Sequence, residues 1–346
     1  MKSIGEFLER LALYNPVKKK FIKNKYLEDS DIDLSIFLHY SNEQMVLQKD
    51  LYNKLKTSTY FWSKAKDYLN KREILIPAQL VYLSKIFKDE TQIIPEQITT
   101  GAAFGNNFKQ VFENGLLEAV ERDAFMISYL TKRKINRITD FPKKISDLLN
   151  YLNRYYLDIF IFDITTDLNI PTFMSITIDK SSIGPAVSIG TKSGFKIENV
   201  IYGAILESVQ ARRQTRLSKY MSGDKFKFPK DKEIDSMLKR CFYWYPTKMI
   251  KYLDFWLKSN KVITFNKIPE YISSLDNGIK QLKDKNYHIF YVDISLNEIK
   301  KAGFTAGKVI IPELQPLYLA EESKMLYSVH GGNIKPDRNL KPQPFC

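Results

Sequence analysis

The sequence predicts a mixed α+β protein with a pseudo-duplicated centre, and three observations predict it. Shifting the chain by 89 positions lays Gly101 on Gly190, Gly105 on Gly194, Leu117 on Leu206, Glu118 on Glu207, Val120 on Val209 and Glu121 on Gln210. A fixed offset of this kind marks a supersecondary unit used twice. After each glycine pair, apolar residues recur at helical spacing: Phe112, Leu116 and Val120 in the first copy, Ile201, Ile205 and Val209 in the second. Between and around these helices lie short β-branched and aromatic runs bounded by Gly, Pro and Asp, the composition of strands.

In chain order, residues 1–72 read as a helical N-terminal region, from about Ile4 to Lys71, broken near Pro16 and by polar turns such as Asp29-Ser30-Asp31. Residues 73–346 form the remainder and end in a proline-rich tail. Strands are expected near Ile74–Ile76, Ile159–Asp163, Thr172–Ile178 and Ala186–Ile189, with the two repeated helices between and after them. Ser222–Lys232 is rich in Lys, Asp, Gly and Pro and reads as an exposed loop. Helices near Ile234–Arg240 and Lys248–Lys258 follow, then strands at His288–Val292 and Val309–Ile311.

The repeated helices carry the chemistry. Opposite the apolar stripe of the first stand Glu118, Glu121 and Arg122, and opposite that of the second stand Glu207 and Gln210. Each helix is therefore expected to bury one face and offer the other. An isolated charged face is ordinarily just solvated, but its repetition in register with the glycines points to a ligand. Carboxylates and a carboxamide without clustered His or Cys suit a hard cation, and Mg2+ is held by a few carboxylates together with nucleotide phosphates. Glu118, Glu121 and Glu207 are the expected metal ligands, Gln210 completes the set, and Arg122 and Arg212 are placed to neutralise phosphate.

Other readings are excluded or set aside. Gly303-Phe304-Thr305-Ala306-Gly307-Lys308-Val309 has one residue too few between its glycines for a phosphate loop and ends in Val where Ser or Thr would hold Mg2+, so it reads as a turn before a strand. Two cysteines, Cys241 and Cys346, and three scattered histidines make neither a disulfide framework nor a zinc site. No apolar run approaches the roughly 20 residues that span a bilayer, and Glu6 and Glu9 interrupt any signal-peptide segment. The chain is read as cytoplasmic, without a membrane partner. Lys and Arg number 53 against 39 Asp and Glu, a formal charge of +14, with Lys18, Lys19, Lys20, Lys23 and Lys25 concentrated near the N-terminus. That excess suits an acidic or phosphate-bearing partner. No recognition motif accompanies it, so nucleic acid is not the expected one.

The run Glu118-Ala-Val-Glu121-Arg122-Asp123-Ala-Phe125, with Glu207-x-x-Gln210 later, resembles the ATP-site motifs of the YcaO proteins, and most closely their cyclodehydratase branch. Thr99-Thr100-Gly101-Ala102-Ala103-Phe104-Gly105 is similar to the family's glycine segment, Ile170-Pro171-Thr172-Phe173 to the strand before the second unit, and Val309–Leu317 to its late VPGLQPL-type segment, with Glu313 where Gly is common. Gly115 and Ala204 stand where the motifs carry a hydroxyl. The resemblance runs from about Ile74 to the C-terminus and implies a YcaO-like fold with two strand, glycine-segment and helix units around a nucleotide site binding ATP and Mg2+. It further implies activation of a peptide backbone amide by ATP. The expected outcome is cyclodehydration of Cys, Ser or Thr to thiazoline or oxazoline in a ribosomally synthesised precursor peptide. Thioamide or amidine formation, and a non-catalytic nucleotide-binding scaffold, remain alternatives. Also by resemblance, the tail Lys341-Pro342-Gln343-Pro344-Phe345-Cys346 reaches the active site, making Pro342, Pro344 and Cys346 the expected catalytic tail residues. Gln343 and Cys346 replace the family's His and final Pro. A separate leader-peptide-binding or sulfur-donor partner and a homodimer complete the expectation.

Overall fold

The computed structural model describes residues 2–16, 22–25, 32–47, 50–83, 98–223, 226–335 and 341–345. Along the chain run α1 (Lys2–Tyr14), β1 (Ile22–Lys25), α2 (Asn42–Leu47), α3 (Leu51–Thr57), β2 (Thr59–Asp67), β3 (Arg72–Pro77), β4 (Ala102–Gly105), α4 (Phe108–Leu130), β5 (Asn136–Thr139), α5 (Lys143–Asn153), β6 (Leu157–Asp163), β7 (Thr172–Asp179), β8 (Val187–Ser193) and α6 (Ile197–Ser222). Then come α7 (Met237–Tyr243), α8 (Asp254–Leu257), β9 (Val262–Thr264), α9 (Leu275–Asp284), β10 (Phe290–Asp293), α10 (Asn297–Lys301), β11 (Thr305–Ile310), β12 (Tyr327–Ser328) and β13 (Gly332–Asn333). They fall into two compact units, the first comprising Met1–Val120, Ile279–Tyr318 and Met325–Lys335, the second Glu121–Gly278, Leu319–Lys324 and Pro336–Cys346.

The first unit is built on a sheet of order β1-β2-β10-β11-β4, with β3 paired to β2, all antiparallel. Its core gathers Leu13, Phe37, Tyr60, Trp62, Ile76 and Phe290. This corrects the expectation of a helical region over 1–72. Thr59–Asp67 is aromatic and alternating, with Tyr60, Trp62, Ala65 and Asp67 buried, and a half-buried pleated surface favours such residues over a helix. The expected 72/73 boundary falls just inside β3, in the β2–β3 hairpin, so the structure divides the chain elsewhere. Of the lysines near the N-terminus, Lys18, Lys19 and Lys20 lie outside the described residues. The glycine-lysine run does form a turn before a strand: Gly303, with φ of +80°, ends α10, and β11 starts at Thr305.

The second unit holds a sheet of order β8-β7-β6-β5-β9, antiparallel except for the parallel β5–β9 pair. Every residue of β7 is buried, and α6 lies along β7 and β8 with Val200, Ile201 and Ile205 joining Phe173 and Ile161 in one cluster. The 89-residue repeat is visible as packing. α4 and α6 begin at Phe108 and Ile197, the same offset apart. A Cβ on Gly115 would lie 2.4 Å from the carbonyl oxygen of Gly101, and one on Gly190 would lie 2.2 Å from that of Ala204. Both pairs, Gly101 with Gly115 and Gly190 with Ala204, are equivalent under the repeat. In each unit, then, the chain at the repeat's first glycine presses backbone to backbone against the helix that follows, and the helix residue at that contact must be small. That explains Gly115: a serine there would have no room.

Candidate functional site

The best-defined polar cluster of the second unit forms where α4 and α6 meet the outer strand β8. Glu121 is 2% exposed. Its Oε1 accepts from Thr191 Oγ1 at 2.7 Å and its Oε2 from the Ser193 backbone N–H at 3.3 Å. The Thr191 backbone N–H donates to Glu207 Oε2 at 3.2 Å. β8 ends its sheet, so these carboxylates occupy N–H groups along an edge strand. Arg122 reaches Glu121 Oε1 at 3.3 Å, Thr191 Oγ1 at 3.4 Å and Glu207 Oε1 at 4.0 Å, while Lys192 stands 4.0 Å from Glu121 Oε2. Two carboxylates thus face two cations.

The tail arrives at the same arginine. The guanidinium of Arg122 lies 3.9 Å from the Phe345 ring centroid, and that ring also packs on Phe125 at 5.4 Å. The tail is gripped through its carbonyls: Tyr129 Oη donates to Lys341 O and Pro342 O, both at 3.1 Å, Trp244 Nε1 to Pro342 O at 3.0 Å, and Arg240 Nη1 to Gln343 O at 3.1 Å. Arg240 is wholly buried and paired with Glu321 at 2.7 Å. Pro342 and Pro344 are buried; Cys346 lies outside the described residues.

The structure distributes the expected residues unevenly. Glu121, Arg122 and Glu207 come together in the second unit. Gln210 is exposed further along α6. Arg212 turns to Asp179, with Nε and Nη2 at 2.9 and 2.6 Å from Oδ2, and together with two Ser181 hydrogen bonds it holds the Asp179 carboxyl below the usual range against the opposing effect of burial. Glu118 belongs to the first unit, where it neighbours Glu9 and Lys308 electrostatically. Burial above all lifts the Glu9 carboxyl to about 8 and lowers the Lys308 ammonium to about 8. Lys308 donates to Ile98 O at 2.9 Å and Val81 O at 3.3 Å.

One expectation needs correcting. α6 does bury one face and offer the other, but α4 is covered almost all round: Glu121 and Asp123 are buried along with Val120, Ala124 and Phe125. A charged residue inside a helix tells which side is polar, not whether that side meets water. Sequence reasoning also missed Thr191, Lys192, Phe345 and the partner Asp179. Thr191 had a signal in its place directly after the repeat glycine Gly190, whereas Phe345 had only its position in the tail.

These residues fit a magnesium nucleotide by the chemistry of their donors. They are carboxylate oxygens flanked by Arg122 and Lys192, and a carboxylate has lone pairs beyond those that Thr191 and Ser193 occupy. Among the described residues no group of three or more His, Cys, Asp or Glu could hold a metal ion by itself. Such a donor set suits a cation that brings phosphates and waters as further ligands.

A family model described as YcaO cyclodehydratase, ATP- and Mg2+-binding, matches residues 1–315. The chain belongs to the YcaO family. Solved structures agree on the fold. The microcin synthetase McbBCD complex of E. coli with pro-MccB17 bound superposes with a TM-score of 0.74 at 18% identity over 99% of this chain and 87% of the other. A heterocyclase in complex with substrate and cofactor gives 0.72 at 16% over 90% and 43%. YcaO from Methanopyrus kandleri bound with AMPPCP and Mg2+ gives 0.61 at 14% over 90% and 74%. This YcaO chain spans 28% and 65% of the curated relatives that it matches, less than two thirds of each. Among its described residues no helix is long and apolar enough to cross a membrane.

Proposed function

We propose that this YcaO protein activates a peptide backbone amide with ATP, converting Cys, Ser or Thr residues of a ribosomally synthesised precursor to thiazoline or oxazoline. The observation that carries the reading is the convergence of Glu121, Glu207, Arg122 and the C-terminal tail at one edge of β8. Bound ATP with Mg2+ would supply the phosphoryl group that turns the amide oxygen into a leaving group.

The chain's own part is positioning and charge balance. Glu121 is fixed by Thr191 and Ser193, so its charge points one way without reorganisation. Glu207, with a side chain 34% exposed against 3% for Glu121, is proposed as the more accessible carboxylate for an incoming cation, and Glu118 as a further ligand. Arg122 balances both carboxylates of the second unit and offers a planar donor to phosphate oxygens. Gln210 is proposed at the rim. Arg212 is left out of the nucleotide's contacts because its Nε and Nη2 are committed to Asp179. The tail residues Pro342 and Pro344 shape the space beside Arg122. A precursor peptide, a separate protein that captures its leader, and a second copy of this chain are the proposed partners. The microcin synthetase complex, with its bound precursor, supports the first two.

Calorimetric titration of MgATP into the purified chain tests the reading, with Glu121→Gln alongside. Binding that requires Mg2+ and weakens at least tenfold in the variant is expected. Equal affinity of the two proteins would remove Glu121 from the site.

A further inference from the structure

Phe345 has no role in the expectations drawn from the motifs, yet its ring lies 3.9 Å from the Arg122 guanidinium and is 3% exposed. The same guanidinium meets Glu121, Thr191 and Glu207 through its nitrogens, while the Phe345 ring lies over one of its faces. The ring in turn cannot drift. Phe345 N–H donates to Gln343 Oε1 at 2.6 Å, Phe125 backs the ring, and the carbonyls of residues 341–343 are held by Tyr129, Trp244 and Arg240.

We infer that Phe345 is a positioning residue for MgATP: stacked on Arg122, it sets the plane of the guanidinium toward the phosphates, so that nucleotide affinity depends on the tail being seated. This rests on the nucleotide reading of Arg122. It gives the last residues of the chain a specific task, and it means that tail and nucleotide sites are coupled, because anything that lifts the tail also releases Arg122.

Arg–aromatic stacking corresponds to a change of about two- to fivefold in an equilibrium at exposed sites and about thirtyfold when desolvated. Four chains are compared by calorimetry with MgATP: native, Phe345→Leu, Phe345→Trp and Phe345→Leu in an Arg122→Lys background. Leu keeps apolar filling but removes the π face, Trp restores it, and Lys keeps the charge without the plane. Expected is a Kd about five- to tenfold weaker for Phe345→Leu, recovery in Phe345→Trp, and no further weakening by Phe345→Leu once Arg122 is Lys. Melting curves of the same variants separate affinity from folding. Native-like Kd in a folded Phe345→Leu would overturn the inference, and would leave the nucleotide reading standing if Glu121→Gln still weakens binding. A further loss of affinity in the Lys background would show that Phe345 acts by another route and would also overturn it. Absence of MgATP binding by the native chain would overturn both.

Discussion

Replacing Gly190 with Ala is the sharpest perturbation the fold offers. The added Cβ would sit 2.2 Å from Ala204 O, 2.3 Å from Ser208 N and 2.9 Å from Glu207 C. All three are backbone atoms of α6, so no side-chain rotation relieves the clash. Restoring ordinary contact requires β8 and α6 to separate by roughly 1 Å, enough to forfeit a large part of the dispersion between two well-packed surfaces. Overpacking of this kind costs about 1–3 kcal/mol, occasionally more, and for a unit of this size each kcal/mol lowers Tm by about 2–4 °C. The same movement stretches the 3.2 Å bond from Thr191 N–H to Glu207, so a folded Gly190→Ala chain should bind MgATP more weakly as well as melt earlier. Thermal melts and calorimetry on the one variant read both effects. A Tm within 1 °C of the native value, which is within ordinary scatter for a neutral surface change, would refute the close approach of β8 and α6.

Other outcomes follow from the same contacts. Glu121→Gln should lower Tm by several degrees in thermal melts, because the buried amide cannot accept from both Thr191 and Ser193 and leaves Arg122 with less charge opposite it, a loss of about 1–3 kcal/mol. Asp179→Asn should also lower Tm, by uncoupling the half-buried Arg212 from the buried Asp179, while leaving the MgATP Kd unchanged; a weakened Kd would return Arg212 to the nucleotide. The His288 ring bonds Glu313 at 2.6 Å, chiefly raising its pKa. Its stabilisation is therefore full below the unfolded value near 6.5 and fades as pH rises through the raised folded value. The Tm difference between native and His288→Gln should shrink correspondingly between pH 6 and 9. Lys308 has the opposite sign: burial lowers its pKa from 10.5 to about 8, so between these values the unfolded chain holds more protons and stability rises with pH. Lys308→Met should flatten that rise in denaturant titrations.

The repeat was legible because it left identical glycines at identical spacing, and the first of each pair, Gly101 and Gly190, proves to be where backbone meets backbone. The helices α4 and α6 and the strands β6, β7 and β8 were legible because each has an apolar face packed in a core, which leaves its period in the sequence. The strands of residues 22–67 were not, because β2 runs three aromatics together, Tyr60, Phe61 and Trp62, before Lys64 and Lys66, and so blurs the apolar–polar alternation that marks a strand. Site membership was partly legible. Glu121, Arg122 and Glu207 share a motif and share a place, whereas Arg212 has the right residue type beside the motif and a carboxylate, Asp179, 33 residues upstream that claims it. No local pattern announces such a long-range partner. Phe345 was invisible for the same reason, since nothing in a tail of prolines says which ring will lie on which arginine.

The carboxylates that cap β8 bind solubility to chemistry. An uncapped outer strand is a template for a foreign strand, and Glu121 and Glu207, the carboxylates proposed to meet the cation, close two of its N–H groups. On the proposed reading, a chain could not change these two carboxylates without also opening a seam along which copies of itself add. Retention of both glutamates in a catalytically idle descendant would therefore be no proof of catalysis, and a variant lacking both should be judged first by its state of association.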